Sequence, residues 1–221
     1  RTNAAAYRGP GLEAGLRILE EVRRGVGLPV VTDVHERSEV TPVAAVADLL
    51  QIPAFLCRQT SLLQAAAASG RPVNVKKGQF LGPAEVAGIV EKVQGVAGPD
   101  RCLITERGSC FGYGDLVVDF RWLPRLAAHG VQVIFDASHA ARDPGGGEPG
   151  VVSGEPRRYL PTLAAAAVAA GVDALYLEVH PDPDRAPCDG ATSWPLDELE
   201  SLLRRLQRLR EAWQESPAGG R

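Results

Sequence analysis

From Val131 to Asp136 the sequence reads Val-Gln-Val-Ile-Phe-Asp, and it runs on through Ala-Ser-His-Ala to Ala140. The six residues are apolar and rich in β-branched side chains, without the clean alternation of a strand that has one wet face. They predict a strand buried on both faces of a parallel sheet. An acid closes the run, and a histidine follows three residues later. The same pattern recurs at Leu28–Asp33 (LPVVTD), Asp48–Gln51 (DLLQ), Val73–Lys76 (VNVK), Cys102–Thr105 (CLIT) and Ala174–Glu178 (ALYLE). Between these runs lie longer amphipathic stretches. Leu12, Leu16, Leu19 and Val22 repeat at helical steps, and Leu199, Leu202, Leu203, Leu206, Leu209 and Trp213 form a second stripe behind Pro195, which suits a first helical turn. Gly25, Gly70, Gly130 and Gly171 each stand just before a strand, where a helix would stop.

Six βα units in succession predict an α/β fold. An open doubly wound sheet would favour a Gly-rich phosphate loop after its first strand, and the sequence has none there. The better fit is a TIM (β/α)8 barrel lacking its first two strands, a single partial barrel domain over residues 1–221 with a frayed tail at 214–221. The chain has no Met and opens on Arg1, so a portion of a longer reading frame is expected. The polar, Gly-rich stretch from His139 to Arg158 has neither period and reads as a lid.

Composition narrows the function. Of 221 residues, 45% are hydrophobic and 23% charged, an ordinary globular mix. The net charge of −3 argues against a nucleic-acid partner, and no apolar run reaches the ~18 residues of a membrane span. Cys57, Cys102, Cys110 and Cys188 contain no CxxC pair, which fits a reducing, cytoplasmic setting. Lysine occurs only at 76, 77 and 92 among 24 basic residues, so the adjacent Lys76-Lys77 pair points to a site wanting a compact ammonium.

Barrel enzymes carry their chemistry at the carboxyl ends of the strands. Asp33 and His35, Gln51, Lys76 and Lys77, Glu106 and Arg107, Asp136 and His139, and Glu178 and His180 close the six runs in turn. Lys76, Lys77 and Arg107, with Arg58 in the loop after Gln51, form a cationic set in an acidic chain. Such a set expects phosphate or carboxylate, unless Asp33, Glu106 and Glu178 neutralise it internally. His139, Glu178 and Asp189 offer one nitrogen and two oxygens, a donor set suited to Zn, Fe or Mn, or else a hydrogen-bonded acid/base trio. Cys188 beside Asp189 is either a further thiolate or inert.

Eight motifs carry a resemblance: YRGPGL at Tyr7–Leu12, TDVHE at Thr32–Glu36, QIPAFLCRQT at Gln51–Thr60, NVKKGQF at Asn74–Phe80, ERG..FGY at Glu106–Tyr113, FDASHA at Phe135–Ala140, EVHPDPD at Glu178–Asp184 and CDG at Cys188–Gly190. In this order they resemble the 3-deoxy-D-manno-octulosonate 8-phosphate synthase family. The resemblance implies a homotetrameric cytoplasmic barrel enzyme that condenses phosphoenolpyruvate with D-arabinose 5-phosphate for lipopolysaccharide synthesis. It implies that Lys76 and Arg107 hold the phosphate and carboxylate of phosphoenolpyruvate, with Gln51, the Pro53-Ala54 backbone and Gln79 lining the same pocket and Asp33 near the reacting centre. Arg1 and Thr2 are similar to the end of a motif that holds the sugar phosphate, and Arg58 to an arginine that reaches that phosphate from a neighbouring subunit. His139, Glu178 and Asp189 match three ligands of the metal-dependent members. The fourth would precede Arg1, and Ala191 stands after CDG where metal-independent members tend to have Pro, so metal use stays open. The alternatives are a 3-deoxy-7-phosphoheptulonate synthase, or an inactive barrel fragment retained as a binding or assembly subunit and prone to aggregate.

Overall fold

The structure, a computed structural model, describes residues 7–110, 116–142 and 156–215. Its contacts divide the chain into two compact units, Arg1–Thr105 with Leu126–Gln132, and Glu106–Arg125 with Val133–Arg221. The first holds α1 (Leu12–Val26), β1 (Val31–Asp33), α2 (Arg37–Val46), β2 (Leu49–Ile52), a 3-10 turn at Ala54–Leu56, α3 (Thr60–Ala68), β3 (Val73–Lys76), α4 (Pro83–Ala97) and β4 (Cys102–Glu106) up to Thr105. Two further elements, α5 (Trp122–Ala127) and β5 (Gln132–Asp136), straddle the division. The second unit continues with α6 (Ala137–Ala140), a 3-10 turn at Pro156–Tyr159, α7 (Leu160–Ala169), β6 (Ala174–Tyr176), β7 (Val179–His180), 3-10 turns at Pro183–Arg185 and Gly190–Thr192, β8 (Trp194–Pro195) and α8 (Leu196–Gln214).

Among the described residues every pair of these strands is parallel. In the first unit β1, β2, β3 and β4 neighbour one another in chain order, with Asp33 opposite Gln51, Gln51 opposite Asn74, and Lys76 opposite Thr105. In the second, β5 pairs with β6 and β7 with β8. Parallel strands in sequence order with helices between them are the α/β, TIM-barrel-like architecture expected from the sequence. The core is the apolar content of the strands: Leu50, Ile52, Val73, Val75 and Ile104 in the first unit and Val133 and Phe135 in the second are buried. Each such side chain contributes about 1.5–3 kcal/mol by leaving water.

Two aspartates set strand positions by the same device. Asp48, just before β2, accepts the backbone N–H of Val30 at 3.0 Å and returns its own N–H to the Val30 carbonyl at 2.9 Å. Asp173, just before β6, does the same to Val133 at 2.8 and 3.0 Å. Arg23 of α1 adds an ion pair to Asp48 at 2.9 Å.

Several expectations need correction. Gly25 lies inside α1, which stops at Gly27 (φ 74), whose N–H bonds the Arg23 carbonyl. The backbone enters the left-handed region there and not at Gly25, so the first strand starts at Val31 rather than Leu28. Both expected helical stripes do lie on helices, though with little burial. Among the residues of α1 none is buried, and in α8 only Leu202 and Leu206 are, while Leu203 and Leu209 face solvent. Pro195 caps α8 instead of entering it, and α8 runs through Gln214, one residue into the expected tail. The rest of that tail and most of the expected lid, residues 143–155, lie outside the described residues.

Candidate active site

In the first unit the polar strand ends are joined rather than merely neighbouring. Asp33, Gln51, Asn74 and Thr105 come from four successive strands. The Thr105 hydroxyl donates to Asn74 Oδ1 at 2.8 Å, Asn74 Nδ2 donates to Gln51 Oε1 at 2.9 Å, and Gln51 Nε2 donates to Asp33 Oδ1 at 2.7 Å. Thr105, Asn74 and Gln51 are buried and Asp33 is half-buried. Lys76 ends β3 and is buried, two residues beyond Asn74 and therefore on the same face of the strand. Lys77 is wholly inaccessible. Its backbone N–H bonds the Thr105 carbonyl at 2.8 Å and its Nζ lies 3.4 Å from the Gly78 carbonyl.

The turn after β2 follows from Pro53, whose fixed φ of −59° starts the 3-10 turn with Leu56 N–H on the Pro53 carbonyl. Ala54 is buried and Pro53 half-buried, whereas Arg58 at the end of this segment is exposed. Gln79 is half-buried. Cys57 is buried, and burial pushes its thiol above its ordinary pKa. A Cβ at Gly78 would fall 2.7 Å from the Phe80 ring and 3.2 Å from Cys57 Sγ, so any larger residue there must displace the Phe80 ring.

In the second unit Glu106 Oε1 accepts the backbone N–H groups of Arg107 (2.9 Å) and Gly108 (2.6 Å), which turns the chain directly after β4. Arg107 is buried. Desolvation pulls its guanidinium below the ordinary arginine pKa, Asp136 opposes this, Arg142 adds to it, and Asp189 and Glu106 oppose it in turn. Asp136 is fully buried and does two things. One oxygen caps α6 by accepting the His139 N–H at 2.9 Å, and the other accepts from His139 Nδ1 at 2.7 Å. A proton on Nδ1 leaves Nε2 with a lone pair, and Nε2 lies 3.4 Å from Glu178 Oε1.

Glu178 is held from three sides. Its N–H donates to Ser138 Oγ at 2.8 Å, its carbonyl accepts from Trp194 N–H at 2.8 Å, and Tyr176 Oη donates to its Oε1 at 3.3 Å. Asp189 adopts the left-handed backbone (φ 51), uncommon for a residue with a side chain. The turn that holds it packs so closely that a Cβ on Gly190 would sit 2.3 Å from the Pro183 carbonyl oxygen. Arg157 clamps the same turn, donating to the Gly190 carbonyl at 2.7 Å and to Asp184 at 2.8 Å. Arg142 lies 3.6 Å from Asp189.

The structure thus joins Asp33 to Gln51, and it gathers His139, Glu178 and Asp189. It does not bring every strand-end histidine into a site. His35 is exposed beside Glu39 at 3.7 Å, where Glu39 closes a capping box with Glu36 at the start of α2. His180 Nδ1 accepts the Asp182 N–H in a turn. Cys188 is exposed, and Arg1 and Thr2 lie outside the described residues. Sequence reasoning missed Asn74 and Thr105 as polar partners and Asp136 as the partner of His139. The period-two spacing of Asn74 and Lys76 and the Asp-x-x-His spacing were the available signals.

The sequence pattern of the DAHP synthetase I family matches residues 1–215. The chain belongs to this family. The 2-dehydro-3-deoxyphosphooctonate aldolase of Nitratidesulfovibrio vulgaris (strain DP4) is 56% identical over 209 residues, 95% of this chain and 76% of that protein. The proteins of the same name from Syntrophotalea carbinolica and Synechococcus sp. are 56% and 53% identical, covering 95% and 96% of this chain and 74% of each relative. Among the described residues, no helix of this family member is long and apolar enough to cross a membrane.

The donor set of the second unit fits a divalent metal on its own chemistry. His139, Glu178 and Asp189 each offer one ligand atom, all within 4.8 Å of one another. Asp136 fixes the histidine tautomer that presents Nε2, the arrangement that orients a metal-ligating imidazole. One imidazole and two carboxylates fit Zn, Fe or Mn.

Proposed function

We propose that this chain is a transferase that joins phosphoenolpyruvate to D-arabinose 5-phosphate with water, giving 3-deoxy-D-manno-octulosonate 8-phosphate and inorganic phosphate for lipopolysaccharide core synthesis. One observation carries the reading: relatives named 2-dehydro-3-deoxyphosphooctonate aldolase are 50–56% identical over nearly the whole chain. The chemistry of the strand ends agrees with it. Both substrates are anions that repel one another in water, and fixing them in reactive proximity supplies much of the acceleration.

In this reading Lys76 and Arg107 hold the phosphate and carboxylate of phosphoenolpyruvate, lined by Gln51, the Pro53-Ala54 backbone and Gln79. Arg1 and Thr2 take the sugar phosphate, and Arg58 reaches it from a neighbouring subunit of a homotetramer. The exposure of Arg58 agrees with a role outside its own subunit. The enol carbon bonds to the aldehyde carbon, and the aldehyde oxygen takes a proton. The adjacent carbon, left electron-poor, takes hydroxide from water as the water's other proton passes to a base. The adduct then collapses to a ketone: the carbon–oxygen bond to phosphate breaks, and the hydroxyl proton leaves with the phosphate. Asp33, His139, Glu178 and Asp189 serve this sequence by orienting the aldehyde and water and by accepting and returning the protons. Held by His139, Glu178 and Asp189, a divalent ion would supply Lewis acidity to an oxygen of substrate or water. The setting proposed is the cytoplasm.

The test is phosphate release from phosphoenolpyruvate with arabinose 5-phosphate and erythrose 4-phosphate offered separately and in competition. Preferential consumption of arabinose 5-phosphate is expected. Faster consumption of erythrose 4-phosphate would assign a heptulonate synthase instead, and no turnover with either would leave a binding subunit.

A further inference from the structure

The hydrogen-bonded row across β1 to β4 has a direction, and the direction has one source. Ionised, the Asp33 carboxylate can only accept. It therefore requires the Gln51 amide to turn its Nε2 outward, which leaves Gln51 Oε1 facing Asn74. That oxygen in turn requires Asn74 to present Nδ2, and Asn74 Oδ1 is left for Thr105, whose hydroxyl donates to it. Each amide could otherwise sit in either of two orientations. Here every flip would place oxygen against oxygen or nitrogen against nitrogen in a buried layer, where such a mismatch is most costly.

We propose that Thr105 and Asn74 are positioning residues for Gln51 and Asp33, acting through this single polarised row. Thr105, three hydrogen bonds from the carboxylate that sets the row's direction, closes its far end by satisfying Asn74 Oδ1, and so restrains Asn74 and, through it, Gln51. The proposal rests on the reading of Asp33 and Gln51 as site residues. It goes beyond that reading by giving a role to two residues on β3 and β4 that do not themselves meet substrate.

The test is Thr105→Val, which keeps the shape and removes the hydroxyl, alongside Thr105→Ser, which restores it. With phosphoenolpyruvate and arabinose 5-phosphate, Thr105→Val is expected to lower kcat about tenfold, equivalent to ~1.4 kcal/mol, with the KM for phosphoenolpyruvate held within about twofold. Thr105→Ser is expected to recover most of that loss. A second readout needs no turnover: hydrogen exchange of the Gln51 side-chain amide, followed by NMR, is expected to quicken about tenfold in Thr105→Val and to return in Thr105→Ser. A fall in melting temperature with unchanged kcat and unchanged Gln51 exchange would make the row purely structural and overturn the proposal. Absence of turnover in the wild-type chain would count against the proposed reaction, and the exchange measurement would still decide whether Thr105 governs Gln51.

Discussion

Replacing Asp136 by Asn separates two tasks that one carboxylate performs. The Asn oxygen can still accept the His139 backbone N–H, now 2.9 Å from Asp136, so the cap of α6 survives. The other position becomes an NH2 group 2.7 Å from His139 Nδ1. A donor there demands an acceptor, so Nδ1 must give up its proton and Nε2 must carry one. Nε2 then loses the lone pair with which it could ligate a metal or accept a proton beside Glu178. Such changes behind a ligand typically cost 10–100-fold in metal affinity or activity, about 1.4–2.8 kcal/mol. Stability falls as well, since Asp136 is the carboxylate that most offsets the desolvation of Arg107. Asp136→Ala loses the cap in addition, about 1 kcal/mol more in a denaturant titration. The assay is zinc affinity by competition with a chromophoric chelator, measured beside kcat on the same protein. A loss of kcat with no zinc binding in either protein would assign the trio to proton transfer. Wild-type affinity together with wild-type kcat in Asp136→Asn would refute the tautomer reasoning.

Four further outcomes are expected. Gly78→Ala pushes the Phe80 ring aside and should cost about 1–3 kcal/mol in a denaturant titration, with most of it recovered in the double variant Gly78→Ala/Phe80→Ala because the obstructing ring is gone. Gly190→Ala meets a backbone carbonyl that cannot swing away; it should cost at least ~2 kcal/mol and weaken zinc binding through Asp189, as measured by melting temperature and chelator competition. Native protein should alkylate readily at the exposed Cys110 and Cys188 and not at Cys57 or Cys102, read by mass spectrometry. Burial pushes the Cys102 thiol up to about 12 from 9.0, so the folded state keeps a proton that the unfolded state gives up. The stability it contributes is therefore full below pH ~9 and declines as the pH rises toward ~12, a decline that Cys102→Ala should reduce.

The strands β2 to β5 were legible because a buried parallel strand must be apolar on both faces, and few other elements demand that of four to six residues, whereas β1 and β6 carry the same apolar pattern without full burial. Boundaries were less legible. Two glycines stand near the end of α1, and only the backbone shows that Gly27 rather than Gly25 takes the left-handed turn. Leu203 and Leu209 belong to the apolar stripe of α8 yet face solvent, because period reveals the apolar face of a helix while burial depends on what lies against it. Strand-end position singled out Asp33, Gln51, Lys76, Arg107 and His139 and, by the same rule, His35 and His180, which serve a helix start and a turn. The spacing of Asn74 and Lys76 marks a shared strand face, but the hydrogen bonds of Asn74 and Thr105 span 23 and 31 positions, so nothing local names their partners.

The charges at the strand ends are hard to explain by stability. Burying an ionic group is expensive, and replacing buried ion pairs by apolar residues of like volume is often neutral or stabilising. Lys76 and Lys77, the charged residues wholly or nearly buried in the first unit among the described residues, are both cations. Lys76 shares its strand face with Asn74 of the hydrogen-bonded row. The second unit mixes signs instead, with Arg107 buried among Glu106, Asp136 and Asp189. The desolvation of Lys76 is already met in the folded chain. A protein that must hold a doubly anionic substrate out of water gains by keeping Lys76, because a compact ammonium already desolvated costs less to bring against a phosphate than one that must first shed its own water.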